Sequence, residues 1–355
     1  MNVDIRGGPR IGYVPLHPMM TPPGDRRRFP AYAADRGIPF QVVDGWEGMD
    51  LVVLSSEADI VFWRHAPAGV GIVLDLPDAF LEEGWGLRSA ARGLAKWIAG
   101  PLSRPVTSHH RAMCRLIERA DAVVCSTPEQ ERNLARYSDN VHVALDLHRE
   151  FKPVSPVDAT LRGDRLHLVW EGLYPTLVAI EPVLPAIRGL AEDFEVVLHL
   201  VTDPVAHRFM NRYGTINVAD VVERWGVKVE VHPWTPVELG RVATFADLAI
   251  VPVDRSDPYT LGKPENRMRI FWRLGLPVVG SESPAHRRAC EVAGMPADVL
   301  CVDSEDWARS LVHYANEPEE RLAVARAGHT AALGVYGDES VLAAWDGVLQ
   351  GLGVL

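Results

Sequence analysis

The sequence predicts an α/β protein built as two successive doubly wound, Rossmann-like domains, on three observations. Short apolar runs rich in Val and Ile alternate with stretches of helical periodicity. Runs that are apolar on both faces read as parallel strands covered by helices on either side. The alternation breaks once, at the polar, proline-bearing stretch "HREFKPVSPVDATLRGD" over 148–164, and then restarts. A chain of 355 residues, 47% of them hydrophobic, can fill two cores of ordinary size. The expected domains are 1–150 and 160–335, with a terminal helix over 336–355 near the domain junction. Ligands of such folds bind beyond the carboxyl ends of the strands, so the expected site is a central cleft that both domains face.

In the first half, strands are expected at 11–14, 40–43, 51–54, 60–63, 71–75 and 122–126, and helices at 27–36, 87–99 and 112–119. "STPEQERNL" then reads as a helix start. Thr127 can cap it, Pro128 suits its first position and Gln130 completes a capping box. In the second half, strands are expected at 166–170, 195–201, 227–231, 248–251, 277–280 and 299–302, with helices at about 176–192, 236–246, 264–274 and 284–293. Helical patterns over 305–315, 318–332 and 338–353 close the chain. In the last of them Val341, Leu342, Trp345, Val348 and Leu349 recur at helical spacing and need an apolar surface to cover.

Composition excludes several classes. The formal net charge of −11 argues against broad nucleic-acid binding. No run approaches the ~18 uninterrupted apolar residues of a membrane span, and "MNVDIRGGPRIGYV" lacks the order of a signal peptide. A cytoplasmic protein with no transmembrane segment is expected. Cys114, Cys125, Cys290 and Cys301 have neither CxxC nor His-rich spacing and read as reduced, buried thiols. His109 and His110 are adjacent, and adjacent helical residues point apart, so no metal site is expected. No GxGxxG follows the first strand, which argues against a dehydrogenase, and no GxSxG elbow is present.

The segment "LGKPENRMRIFWRLGLPVVGS" carries the chemistry. Pro252 ends the strand "DLAIV", a loop follows, and Gly262 permits close backbone approach. Pro264 suits a first helical turn, so the helix is expected to start at a strand's carboxyl end. Its free N–H groups and dipole favour an anion, and Lys263 and Arg267 add charge beside them. The alternative is an ordinary helix with solvated arginines. Met268, Phe271 and Trp272 have the spacing of a core face.

This stretch resembles the Lys-x-x-Asn-Lys/Arg…Gly-Leu-Pro-Val-Val pattern of GT-B glycosyltransferases, in the large retaining, family 4-like group related to glycogen and sucrose synthases. Three other stretches resemble the same group in order: "ADAVVCSTPEQERNL", the linker "VHVALDLHREFKP" with Asp146 and Phe151 in place, and "LHLVWEGLY". The resemblance covers about 60–315 and implies a nucleotide-diphosphate sugar as donor substrate, with no cofactor and no essential metal. It implies that Gly172 lets a loop approach the diphosphate, that Lys263 and the helix from Pro264 bind phosphate oxygens, and that Asn266 and Arg267 match the Asn-Lys/Arg pair. Trp234, in "VHPWTPVEL", matches the segment beside the base and either stacks on it or is a core or loop tryptophan. The chain also departs from the group. Gly262 and Ile270 stand where many relatives carry two glutamates eight positions apart, and Glu171 stands where a basic pair is usual.

The first domain is expected to take the acceptor, which would be small-molecule, glycan or lipid-linked. His65, Asp75 and Asp78, in "WRHAPAGVGIVLDLPDAF", are the candidate catalytic residues. A carboxylate there can hold sugar hydroxyls or take a proton, while Asp78 could equally cap a helix. Arg26, Arg27 and Arg28 open an earlier helix, either for an anion or as a solvated basic end. The leading expectation is a retaining glycosyltransferase. The alternatives are a non-catalytic GT-B relative serving as a binding or partner subunit, and a nucleotide-sugar epimerase.

Overall fold

The computed structural model describes residues 8–82, 102–156, 165–209 and 213–355. The chain divides into two compact units. Unit 1 comprises Met1–Leu147, Gly262–Pro264 and Asp338–Leu355, and unit 2 comprises His148–Leu261 and Glu265–Gly337. No helix among the described residues is long and apolar enough to cross a membrane.

Unit 1 is built on β1 (Ile11–Val14), β2 (Gln41–Val42), β3 (Leu51–Leu54), β4 (Gly71–Leu76), β5 (Ala122–Cys125) and β6 (Val141–Val143). They form one parallel sheet in the order β2-β1-β3-β4-β5-β6. Both faces are dry, as the two-sided apolar runs require. On one face Leu54, Ile72 and Val123 pack with Trp63 and Leu116. On the other Val53, Val73 and Val124 meet Phe29, Tyr32 and Trp345. Trp345, on the helix Asp338–Gly351, stacks on Tyr32 at 5.7 Å and lies 5.9 Å from Phe29. The carboxylate of Asp346 accepts from the Tyr32 hydroxyl at 2.9 Å and from Arg36.

Two expectations for unit 1 need correction. The run over 60–63 is a helical turn, Ile60–Trp63, not a strand. Asp59 caps it, its Oδ1 accepting from the N–H groups of Val61 and Phe62 at 2.9 and 3.2 Å, and a capped start decides a four-residue apolar run for helix. The helix expected over 27–36 is two, Pro23–Arg27 and Phe29–Arg36, with Arg28 non-helical between them. The helix expected over 87–99 lies outside the described residues.

Unit 2 carries β7 (Arg165–Glu171), β8 (Glu195–Thr202), β11 (Lys228–Pro233), β12 (Leu248–Val251), β13 (Val278–Ser281) and β14 (Leu300–Cys301) in one parallel sheet, ordered β11-β8-β7-β12-β13-β14. The order reverses between β7 and β12, which makes their carboxyl ends the switch point where doubly wound sheets bind ligands. A separate antiparallel hairpin, β9 (Val205–Phe209) with β10 (Tyr213–Asn217), was not expected from the sequence. The helix expected over 176–192 begins as a 3₁₀ stretch, Tyr174–Val183, with Pro182 inside it, and becomes α-helical only over Leu184–Leu190. All four cysteines are buried and unpaired.

Gly275 opens the Gly-Leu-Pro turn before β13 and has φ +76°. A Cβ there would lie 2.4 Å from the carbonyl oxygen of Val154. Both the left-handed backbone and the close approach exclude a side chain. Gly275→Ala is expected to destabilise unit 2 by ~1–3 kcal/mol. Urea unfolding of the variant checks this, and an unchanged midpoint would mean that the Val154 segment moves aside freely.

Candidate active site

The switch point of unit 2 is assembled from three segments. β7 ends at Glu171 and hands over to Gly172, whose N–H donates to the carbonyl of Val201 at 3.2 Å. A Cβ on Gly172 would come within 2.7 Å of the Trp170 ring and 2.9 Å of the Thr176 hydroxyl. The glycine therefore lets the chain pass over a buried tryptophan. From β12, after Pro252 and the short helix Pro258–Leu261, the chain reaches the helix Asn266–Arg273. From β11 it reaches Trp234, whose N–H is held by the carbonyl of Thr202 at 3.1 Å.

Side chains from all three segments meet at Glu171. The Trp234 indole N–H donates to Glu171 Oε2 at 2.9 Å. Arg267 Nε lies 3.9 Å from Glu171 Oε1, and Arg267 Nη2 donates to Thr176 Oγ1 at 3.0 Å. The guanidinium also lies over the Trp170 ring, 5.6 Å from its centroid. Burial lowers the pKa of Arg267, and Glu171 works against that shift. The guanidinium side chain still keeps 25% of its surface exposed, so it has N–H groups to offer an anion.

The helix of Arg267 begins later than expected, at Asn266 rather than Pro264. Its N-cap residue, Glu265, makes no side-chain cap hydrogen bond. Glu265 is instead buried, accepting from Arg288 at 3.3 Å. The leading N–H groups of this helix thus receive no cap from Glu265, at the positive end of the helix dipole. The alternative of solvated arginines fails for the rest of the helix. Arg269 Nη2 donates to the carbonyl of Tyr336 at 3.2 Å, and Arg273 Nε to that of Phe151 at 2.7 Å, both from buried positions. These two tie the helix to its own unit, and only Arg267 is turned toward the switch point. His286 is buried behind it, with Nδ1 2.7 Å from the carbonyl of Ser281, and burial pulls its pKa down to about 4.

The other expected residues fall as follows. Asn266 is the first residue of the helix and half-buried. Lys263 is half-buried and belongs, with Gly262 and Pro264, to unit 1, where the Gln130 side chain donates to the carbonyl of Gly262 at 3.1 Å. Gln130 departs from the expected capping box. Its N–H donates to Thr127 Oγ1 at 3.1 Å, but its Oε1 accepts from Ser126 rather than Thr127.

Asp75 sits inside β4, 4% exposed, with both oxygens engaged by Arg28 at 2.6 to 2.8 Å. Arg28 is itself 1% exposed. Its Nη1 also donates to Ser126 Oγ, to the carbonyl of Ala144 and to Asp146 Oδ1, at 3.1, 3.0 and 3.1 Å. Burial pushes the Asp75 carboxyl up, and the guanidinium opposes it. Asp75 is thus sealed against Arg28, with both oxygens engaged and almost no exposed surface. Arg27 is buried as well, so the solvated reading of the three arginines does not hold for Arg27 and Arg28. Asp78 is half-buried just past the carboxyl end of β4, beside a small pocket lined by Leu76, Phe80, Gln130 and Asn133. His65 is exposed and follows the helical turn Ile60–Trp63, before β4 starts. It therefore stands at the amino edge of the sheet, opposite the edge that bears Asp78. The expected strand end that was to present His65 does not exist.

Sequence reasoning missed Thr176, His286 and the ion-pair role of Arg28. A threonine in a 3₁₀ turn and a histidine in a helix carry no signal of their own. Arg28 could have been singled out by the two aspartates that its burial needs, but only once they were known to be near.

No family model matches the chain, and no curated protein does. Among solved structures it is similar to HepE of Anabaena in complex with UDP-glucose, at TM-score 0.64 and 14% identity over 98% of this chain and 100% of that one. It is also similar to sucrose-phosphate synthase of Thermosynechococcus elongatus, at 0.59 and 15% over 91% and 76%. A TarM variant of S. aureus in complex with UDP matches at 0.57 and 10% over 84% of this chain. The chain spans 55% of that TarM chain and 54% of a second one, about half their length. Likeness at these identities establishes the fold, which is GT-B.

Proposed function

We propose that this chain is a glycosyltransferase that moves a sugar from a nucleoside-diphosphate donor to a small-molecule, glycan or lipid-linked acceptor in the cytoplasm. We read the reaction as retaining and independent of an essential metal. The observation that carries this reading is the helix start at Asn266, whose N-cap residue Glu265 makes no side-chain cap hydrogen bond, with Arg267 reaching from it to the Gly172 turn. A diphosphate suits such a place, because backbone N–H groups and a guanidinium stabilise its oxygens and gain importance as the leaving charge develops. Two of the similar structures, HepE and the TarM variant, hold UDP or UDP-glucose.

In this reading Gly172 gives the diphosphate room, while Lys263, Asn266 and Arg267 hold its oxygens. Trp234 flanks the base, kept in place by its hydrogen bond to Glu171. On the acceptor side Asp78 takes a sugar or acceptor hydroxyl, and Asp75 positions Arg28. The acceptor attacks on the face from which the diphosphate leaves, and a diphosphate oxygen receives its proton.

Lys263→Ala tests the donor side. It is expected to weaken binding of a nucleoside diphosphate by about tenfold or more, since a charge-assisted hydrogen bond is worth ~1.5–3 kcal/mol. The free nucleoside, lacking phosphates, should bind the variant as it binds the parent chain. Calorimetry over a panel of UDP, GDP and dTDP would measure this, and a nucleotide affinity untouched by Lys263→Ala would remove the residue from the site. One observation favours a second reading, a non-catalytic binding subunit: Glu171 puts a negative charge within 3.9 Å of Arg267, where it opposes a diphosphate. Donor hydrolysis under conditions where the nucleotide binds separates the two readings.

A further inference from the structure

Three histidines line up across unit 2, away from the Gly172 turn. His167 lies on β7, His199 on β8 and His232 on β11. The register pairs Val169 with His199, His199 with Glu230, and Val201 with His232. Residues two apart share a face, so the three rings and Glu230 stand on one side of the sheet. His167 Nδ1 is 2.9 Å from His199 Nε2, and His199 Nδ1 is 3.0 Å from His232 Nε2. Phe245 packs edge-on against His167 and His199 at 5.6 and 5.1 Å.

The surroundings favour one tautomer of His232 and leave both open to His199. His232 Nδ1 is 3.1 Å from Glu238 Oε1, and Glu238 is gripped by Arg241 through both oxygens at 2.6 and 2.9 Å. A carboxylate against Nδ1 keeps the proton there, so His232 Nε2 presents its lone pair toward His199. His199 can give its own proton to either side. With the proton on Nε2, bonded to His167, its Nδ1 also presents a lone pair. Glu230 Oε2 lies 3.6 Å from that Nδ1. Two imidazole nitrogens and one carboxylate oxygen then converge, and a carboxylate behind one imidazole is the usual support of a ligating histidine.

We propose that His199 Nδ1, His232 Nε2 and Glu230 form a binding site for one divalent transition metal, Zn²⁺ by preference, with a water completing the shell. The spacing fits the chemistry. Bonds of about 2.0–2.1 Å put two nitrogens roughly 2.9 Å apart at a right angle and roughly 3.3 Å apart in a tetrahedron. The observed 3.0 Å falls between these values. Two imidazoles with a single carboxylate suit Zn²⁺, Co²⁺, Ni²⁺ or Cu²⁺ and not the all-oxygen shells of Mg²⁺ or Ca²⁺. Glu230 is 52% exposed at its side chain, which gives the ion a way in. The neighbouring cations are offset: Arg241 is paired with Glu238, and Lys228 with Glu195 at 3.1 Å. The ion would join β8 to β11, two residues ahead of Trp234, and its task is to hold that strand rather than to touch a donor.

The test uses the full chain, stripped with a chelator and titrated with Zn²⁺ by calorimetry, with Co²⁺ absorption as a second readout and Mg²⁺ as a control. One equivalent of Zn²⁺ is expected to bind and to raise the melting temperature, while Mg²⁺ does neither. His232→Gln should remove that equivalent, and Glu230→Gln and Glu238→Gln should each weaken it by about tenfold or more. Glu230 is half exposed, so its variant reports on the site even if His232→Gln folds poorly. Absence of saturable Zn²⁺ binding would overturn the proposal. So would one equivalent that survives both Glu230→Gln and Glu238→Gln with unchanged affinity, since the ion would then sit on other groups.

Discussion

Replacing Arg28 with alanine is expected to cost unit 1 about 3–5 kcal/mol, the range for breaking a buried ion pair from one side. Arg28 satisfies Asp75 and Asp146 together, and all three are buried. Without it, the buried Asp75 carboxylate loses its guanidinium, and Asp146 loses one of its partners. A pH series distinguishes this cause from simple loss of packing against Trp345, whose ring lies 5.9 Å from the guanidinium carbon. In the variant the Asp75 carboxyl, already pushed up by burial, loses the opposing pull of the guanidinium, so its folded-state pKa rises further above the unfolded value of about 3.9. The folded form then binds protons that the unfolded form does not, so acidification stabilises the variant relative to the parent. The deficit measured by denaturant unfolding should therefore shrink between neutral pH and about pH 5. A deficit that stays constant across that range would assign the loss to packing. Arg28→Lys retains the charge but not the two-pronged grip, and should fall between parent and alanine variant.

The second large effect concerns turnover. Arg267→Ala is expected to lower it by roughly 100-fold or more, the scale of removing one fixed donor from a developing negative charge. Two things are lost together: a guanidinium facing the Gly172 turn, and the counter-charge that offsets Glu171. The second loss is what makes the outcome checkable. Glu171→Gln by itself should tighten nucleoside-diphosphate binding several-fold, because a negative neighbour is removed. Combined with Arg267→Ala it should recover part of the lost affinity, a coupling that a double-mutant cycle reads directly. If Glu171→Gln weakens the nucleotide instead, Glu171 holds a hydroxyl of the ligand rather than merely bordering its phosphates.

How much of this was legible in the sequence depended on whether a signal was local. The strands of both sheets were readable because covered parallel strands are apolar on both faces, as in "LVVL" and "LAIV". The four-residue run "IVFW" carries the same signal but folds as a helix, because Asp59 caps it and no strand partner competes. The β9–β10 hairpin was missed because "VAHRF" and "YGTIN" have no sustained alternation. Gly275 was legible as a turn glycine, whereas its contact with the Val154 segment joins residues far apart in the chain. The arginines were hardest. Position at the helix start singled out Arg267, but the sequence did not say where Arg269 and Arg273 go. What separates the three is whether a backbone carbonyl, from Tyr336 or Phe151, waits at the far end. The linker residues Asp146 and Phe151 follow the same logic, one closing the Arg28 cluster of unit 1 and the other receiving Arg273 in unit 2.

The helix Asp338–Gly351 has a consequence for the order of events at the ribosome. The sheet of unit 1 precedes unit 2 in the chain, yet one of its faces is covered by Trp345, Val348 and Leu349, which follow unit 2. Those residues leave the exit tunnel only after all of unit 2 has been translated. The nascent amino-terminal sheet must therefore wait with Phe29, Tyr32 and Val73 uncovered on that side while unit 2 is made, although domains generally fold in order of synthesis. A chain clipped before residue 338 would leave that apolar face of the sheet uncovered.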